Sequence, residues 1–276
     1  MLGAITGDIA GSRFEWNPIK TKHFDLLIHG GCTPTDDSVM TLAIADALLD
    51  CDGDFSTLAE KAVQHMQAMG RRYPHAGYGG RFFSWLQSPD PAPYNSFGNG
   101  SAMRVSPCAY AAKTMEEALE LADKVTAVTH NHPEGMKGAE AVTAAIFMAL
   151  HGKSIPEIRD HINRHYYPMD FTLASFRDTY RFDVTCQGSV PQAIMAFLES
   201  EDFEDAVRNA VSLGGDSDTQ AAIAGSIAEA YYGIPSDIRE LALTFLNAEM
   251  RGIVNRFEDR YGIPCLKEQG ESDAAT

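Results

Sequence analysis

Residues 39–50, VMTLAIADALLD, are apolar nearly all round, a pattern that suits a helix enclosed by other helices. Further helix-length patterns follow. Residues 56–69 take Ser56 as N-cap, with Gly70 just past the end, and Thr114 opens a helix running to about Val128. Residues 134–150 are Ala-rich and stop at Gly152, and residues 154–166 carry Pro156 in the first turn, where a helix tolerates it. Residues 191–199, 203–213, 219–232 and 236–255 complete the series, while 182–185 alone has strand character. Tyr-Gly-Ile-Pro occurs at 232–235 and again at 261–264, each time closing a helical pattern with Gly and then Pro. The expectation is an all-α, compact multi-helix bundle. Residues 1–265 read as a single domain and the polar stretch 266–276 as a flexible tail.

Such a bundle needs a core, and 276 residues at 45% hydrophobic content supply one. The formal charge of −16 argues against broad capture of nucleic acid or of an anionic membrane. It leaves room for a phosphate-bearing ligand reached through backbone N–H groups or metal ions. The start, MLGAITGDIAGSRFEW, lacks a basic segment followed by an apolar one and does not read as a signal peptide. No run approaches the roughly 18 apolar residues of a membrane span. The five cysteines, Cys32, Cys51, Cys108, Cys186 and Cys265, are scattered without a CxxC pair, which predicts reduced thiols in a cytoplasm. Oligomeric state leaves no mark in the sequence.

Two acidic clusters stand where helices begin. Thr35-Asp36-Asp37-Ser38 precedes the apolar helix at Val39, and Gly214-Gly215-Asp216-Ser217-Asp218-Thr219 precedes the Ala-rich pattern at Gln220. Alone, each reads as an ordinary cap, since Asp, Ser and Thr satisfy the free N–H groups of a first turn. Together they suggest a metal centre. Every donor is an oxygen, with no Cys or His nearby, which favours Mg²⁺ or Mn²⁺ over Zn²⁺. Two such clusters could hold a pair of ions about 3.5–4 Å apart, as two-metal hydrolases do. Asp8 and Glu15 lie seven residues apart, about two helical turns, and could share a face; taken alone they read as solvated charges.

Two Gly-rich stretches could offer backbone amides to a diphosphate: Gly77-Tyr78-Gly79-Gly80, leading into a helix at Arg81, and Phe97-Gly98-Asn99-Gly100-Ser101. Neither matches a P-loop or a Rossmann fingerprint. His130-Asn131-His132 lacks assignable partners for a metal site, so loop positioning or ligand hydrogen bonding is the favoured reading, with any share of His132 left open. Gly188-Ser189-Val190-Pro191 reads as a helix start that could also line a pocket.

In chain order, the blocks Gly7-Asp8…Gly11…Glu15, Thr35-Asp36-Asp37, Gly77-Tyr78-Gly79, residues 98–104 (GNGSAMR), Thr129-His130 and residues 214–219 (GGDSDT) resemble the ADP-ribosylglycohydrolase family. The resemblance runs from about residue 1 to 235, and the order of the blocks makes it specific. It implies an orthogonal helical bundle with two Mg²⁺ or Mn²⁺ ions in a central cleft. By position it implies Thr35, Asp36, Asp37, Asp216, Asp218 and Thr219 as metal ligands, with Glu15, Asp36 and Asp218 at the chemistry. It further implies Gly77, Tyr78 and Gly79 against the diphosphate, residues Ser96, Phe97, Gly98, Asn99, Gly100 and Ser101 along the ADP-ribose channel, and His130 near the nucleotide. The implied partner is ADP-ribose or an ADP-ribosylated target, and the implied reaction is hydrolysis of the glycosidic bond at the ribose anomeric carbon. The leaving group stays open: arginine, serine, a nucleobase or a small molecule. Alternatives are hydrolysis of another ADP-ribose derivative or nucleotide, and a silent ADP-ribose-binding role. Some family members are non-enzymatic, but the carboxylates at every metal position favour an enzyme.

Overall fold

In the computed structural model, which describes residues 1–262, helices form wherever an apolar stripe can be buried, and fourteen α-helices result. In order they are α1 (Leu2–Gly11), α2 (Asp36–Asp50), α3 (Leu58–Arg72), α4 (Gly80–Gln87), α5 (Ser106–Ala111), α6 (Met115–Ala127) and α7 (Pro133–Leu150). The second half adds α8 (Ile155–His165), α9 (Leu173–Phe176), α10 (Cys186–Leu198), α11 (Phe203–Val211), α12 (Ser217–Tyr232), α13 (Ser236–Thr244) and α14 (Ala248–Tyr261). Among the described residues there is no named strand, and no helix is long and apolar enough to cross a membrane. The tail 266–276 and Cys265 lie outside the described residues.

The centre of the bundle is the pair α1 and α12. Every residue of α1 is buried, as is α12 from Ser217 to Glu229. Glycines make the pair possible. A Cβ on Gly3 would stand 2.3 Å from the Gly225 carbonyl oxygen, on Gly7 2.0 Å from that of Ala221, and on Gly11 2.4 Å from that of Ser217. The two backbones therefore touch directly along three turns. Around this pair pack α2, α7, α10 and α11. Outer helices bury one stripe only: α8 encloses Ile158 and Ile162 and leaves its charged face to solvent.

Several boundaries follow the sequence chemistry. Thr114 Oγ1 accepts from the Glu117 N–H at 3.1 Å, and Ser154 with Glu157 forms a capping box. Others differ from expectation. Ser56 is not the cap of α3: Asp54 accepts from the Ser56 N–H at 3.0 Å and starts a 3-10 turn, Phe55–Thr57, that leads into α3. Gly70 lies inside α3 rather than past its end, and serves close packing: a Cβ there would meet Leu86 at 2.6 Å. Pro191 lies within α10, which begins five residues earlier with Thr185 accepting from the Gly188 N–H at 3.1 Å. The Gly188–Pro191 stretch is thus in the first turns of a helix, and it does not line the main cleft. The predicted helix 236–255 is two helices, since Asn247 accepts from the Met250 N–H at 3.0 Å and starts α14 afresh. Residues 182–185 form no strand; a lone bridge joins Gly98 to Thr185.

Candidate active site

The direct α1–α12 contact brings three chain segments to one point: the end of α1, the start of α12 and the start of α2. Asp8, on the last turns of α1, is fully buried. It accepts from the Thr35 N–H at 2.9 Å, the Thr35 hydroxyl at 2.6 Å and the Ser38 N–H at 3.0 Å, and also from the Ser38 hydroxyl. Asp8 thus binds α1 to the N-terminus of α2 and is no solvated charge. Glu15 does not continue the helix, which ends at Gly11; it is carried back to the cluster by the segment that follows.

The acidic side chains converge. Ligand atoms of Asp8, Asp37 and Asp218 lie within 4.8 Å of one another, and so do those of Glu15, Asp216 and Asp218. The Thr219 hydroxyl reaches Asp37 Oδ2 at 3.3 Å, joining the two clusters across 182 residues of sequence. Asn99 Nδ2 donates to Asp216 Oδ2 at 2.7 Å. Asp36 is anchored through its N–H to the Ala76 carbonyl at 2.7 Å, which ties the Gly77 loop to the start of α2. Gly77 needs its φ of +107°, and a Cβ there would stand 3.3 Å from Asp36 Oδ1.

These carboxylates are held at a cost. Burial, then Asp8 and the other nearby carboxylates, push Asp37 well above the usual range, and burial, then Asp37, Asp216 and Glu15, do the same to Asp218. Asp36 is raised to about 8, by burial and then Asp8 and Asp216. Asp8 is raised only to about 6, because Ser38 and Thr35 oppose the effect of burial. Glu15, half-buried, is raised to about 7 by burial and then by Asp216. Asp37 Oδ1 is buried with no hydrogen-bond partner. Closely grouped carboxylates at the positive ends of two helices, with an orphaned oxygen among them, are what a hard divalent cation requires. The residues present fit such a cation.

Above the cluster opens a cleft of about 550 Å³. Its acidic floor holds Glu15, Asp36, Asp37, Asp216, Asp218 and Thr219. Gly77, Tyr78, Gly79, Ser96, Gly98, Asn99, Gly100 and His130 line it as well. Three expected residues do not. Thr35 is buried behind the lining, where its hydroxyl donates to Asp8 Oδ1 at 2.6 Å and leaves an oxygen lone pair free. Ser101 faces inward, fully buried, and donates to the Gly135 carbonyl at 2.8 Å. Phe97 turns outward onto His132, ring to ring at 5.2 Å, because the Asn99 N–H to Val184 and Cys186 N–H to Phe97 bonds pin this segment's register. His132 Nδ1 accepts from the Glu134 N–H at 3.1 Å and caps α7.

The cleft also holds residues that sequence patterns do not single out. Arg81, Tyr94 and Arg104 line it, together with Phe182 and Val184. Trp16 stands at the mouth, 74% exposed and stacked on Phe182 at 5.4 Å, next in sequence to Glu15. An exposed Trp beside an acidic site residue was the only available signal for it.

Fold and site together define a class: helical proteins that gather hard-oxygen donors at two helix N-termini beneath an open cleft. More particularly, the family model for ADP-ribosylglycohydrolases matches residues 1–263, and the chain belongs to that family of glycosidic-bond hydrolases. ADP-ribosylarginine hydrolase Tri1 of Pseudomonas putida (strain GB-1) is 27% identical over 269 residues, covering 85% of this chain and 70% of the relative. ADP-ribosylhydrolase ARH3 of Homo sapiens is 26% identical over 310 residues, covering 85% and 84%. The ADP-ribosyl-[dinitrogen reductase] glycohydrolase of Rhodospirillum rubrum is 27% identical over 198 residues, covering 68% and 61%. A solved ADP-ribosylglycohydrolase-related protein complex shares the fold, with a TM-score of 0.67 at 24% identity over 94% of this chain and 96% of that one.

Proposed function

We propose that this protein hydrolyses the glycosidic bond between ADP-ribose and a modified target, using two Mg²⁺ or Mn²⁺ ions. The observation that carries this reading is the convergence of buried carboxylates, one with an orphaned oxygen, on the floor of a 550 Å³ cleft walled by glycine turns. Asp36, Asp37, Asp216 and Asp218 would hold the ions with Thr35 and Thr219. Bound there, divalent cations would supply Lewis-acid stabilisation and a fixed anchor for the ribose hydroxyls.

The protein's own groups do the rest. The turns at 77–79 and 96–100 admit a diphosphate close to the backbone, since glycine leaves no Cβ in the way. Glu15 faces the cleft half-buried; burial and then Asp216 raise it to about 7 in the ion-free site, and bound divalent cations would draw it back toward the carboxylate. That suits a group that takes a proton from water at its carboxylate or gives one to the leaving atom. The free, buried thiols of Cys32, Cys51, Cys108 and Cys186 suit a reducing cytoplasm.

The test is release of ADP-ribose from a panel of modified arginine, serine and nucleic-acid substrates, with and without Mg²⁺ or Mn²⁺. Glu15→Gln is expected to retain ADP-ribose binding and lose about 10²–10⁴-fold in turnover. Full activity in that variant removes Glu15 from proton transfer. A protein that binds neither divalent ions nor ADP-ribose overturns the assignment, and tight binding without turnover on any substrate supports a silent binding role instead.

A further inference from the structure

Arg104 is a buried cation with no carboxylate partner among the described residues. It is 1% exposed, and its Nη2 donates to the Val125 carbonyl at 3.2 Å and to Thr129 Oγ1 at 2.6 Å. A guanidinium has donors only, so the Thr129 hydroxyl oxygen must accept at that contact. Its own proton then points elsewhere, and two acceptors are in reach. His130 Nδ1 lies at 2.7 Å and the Thr126 carbonyl at 3.4 Å. The first is a full hydrogen bond and the second lies outside the usual O–H···O range. Donation to Nδ1 thus gives the Thr129 proton its nearest acceptor, the arrangement in which Nδ1 accepts.

His130 itself is 5% exposed. Burial first, then Arg104 and Arg81, hold its pKa well below the ordinary value, so the ring is neutral at pH 7. A neutral imidazole that accepts at Nδ1 carries its hydrogen on Nε2. That atom lies at the glycine turn of the cleft: a Cβ on Gly98 would come within 3.6 Å of it and a Cβ on Gly100 within 3.5 Å. No described protein group accepts a hydrogen bond from it.

We propose that Arg104 and Thr129 are positioning residues that lock His130 in its Nε2–H tautomer, aiming one neutral hydrogen-bond donor at an anionic oxygen of the ligand. The chain of contacts fixes the direction of the donor before any ligand arrives, and Arg104 prevents the ring from reversing it. The ligand half of this inference rests on the ADP-ribose reading above; the tautomer half does not.

Long-range ¹⁵N–¹H correlation spectra of histidine-labelled protein at pH 7 read the tautomer directly, and calorimetric titration with ADP-ribose reads the donor. The wild-type protein is expected to show a protonated Nε2 and a bare Nδ1 at His130. Thr129→Ser keeps the hydroxyl and should keep both the spectrum and the affinity. Thr129→Val removes it and should give mixed tautomers with affinity about tenfold weaker. A protonated Nδ1 in the wild-type protein overturns the lock, as does an unaltered spectrum in Thr129→Val. Mixed tautomers with unchanged ADP-ribose affinity overturn the donor role. Absence of any ADP-ribose binding to the wild-type protein overturns the donor role and the functional reading together, and leaves the spectrum as the measure of the lock.

Discussion

At Asp8 one carboxylate satisfies both the backbone and the hydroxyl groups of Thr35 and Ser38. Replacing it by Asn turns one end of the group into a donor facing donors. Asp8→Asn should cost about 1–3 kcal/mol in urea denaturation, and weaken Mn²⁺ binding by loosening the turn that carries Asp36 and Asp37. An unchanged midpoint would show that the turn stands without it. Asp36, Asp37, Asp216 and Asp218 were legible in the sequence because each sits at a helix start, where the local pattern is plain. Asp8 was not, because its burial depends on residues of α12 more than 200 positions away. Phe97 and Ser101 were misplaced for a similar reason. Their orientation is set by hydrogen bonds to residues 184–186 and by Gly135, which no local pattern announces.

Among the helices, the contact of α1 with α12 decides whether the site exists at all. Gly7→Ala would drive a methyl group into the Ala221 carbonyl, so it should destabilise by about 3 kcal/mol or prevent folding. Gly252→Ala, on α14 with nothing within 4 Å of its added Cβ, should instead gain up to about 1 kcal/mol of helix propensity. Equal effects in chemical denaturation would refute the packing argument. A second pair of helices carries a pH dependence. Asp123 on α6 lies near Glu140 on α7, and burial, then Asp123, raises Glu140 to about 7. The folded protein therefore binds a proton that the unfolded chain releases near 4.5. Stability from this pair is full below that value and falls as pH rises through about 7. Glu140→Gln should flatten that fall in melts taken between pH 5 and 8. The existence of these helices was legible from periodicity and caps. The break at Asn247 and the early start of α10 were not, since Asn247 interrupts a continuous apolar pattern and Thr185 starts α10 upstream of Pro191.

For the molecule as a whole, the gathering of carboxylates in one buried place should make stability depend on cations. Ions that bind only the folded state stabilise it by about 2.7 kcal/mol at a hundredfold excess over Kd. For a chain of this size that corresponds to a Tm increase on the order of 5–10 °C. Mn²⁺ or Mg²⁺ should produce it, a chelator should abolish it, and NaCl at equal ionic strength should not. The all-helical architecture was legible throughout, because the apolar patterns and the caps agree with each other. The cleft's rim was less so, for Trp16, Arg81 and Phe182 sit on segments whose course only the assembled bundle determines.

The two tryptophans have a consequence in optical terms. Trp85 is 4% exposed inside the bundle and Trp16 is 74% exposed at the cleft mouth. Their emission should separate into a blue, quencher-resistant component and a red, iodide-sensitive one. Anything entering between Glu15 and Phe182 changes the red component alone, so the molecule carries a fluorescent reporter at its entrance, needing no label and isolated by Trp85→Phe.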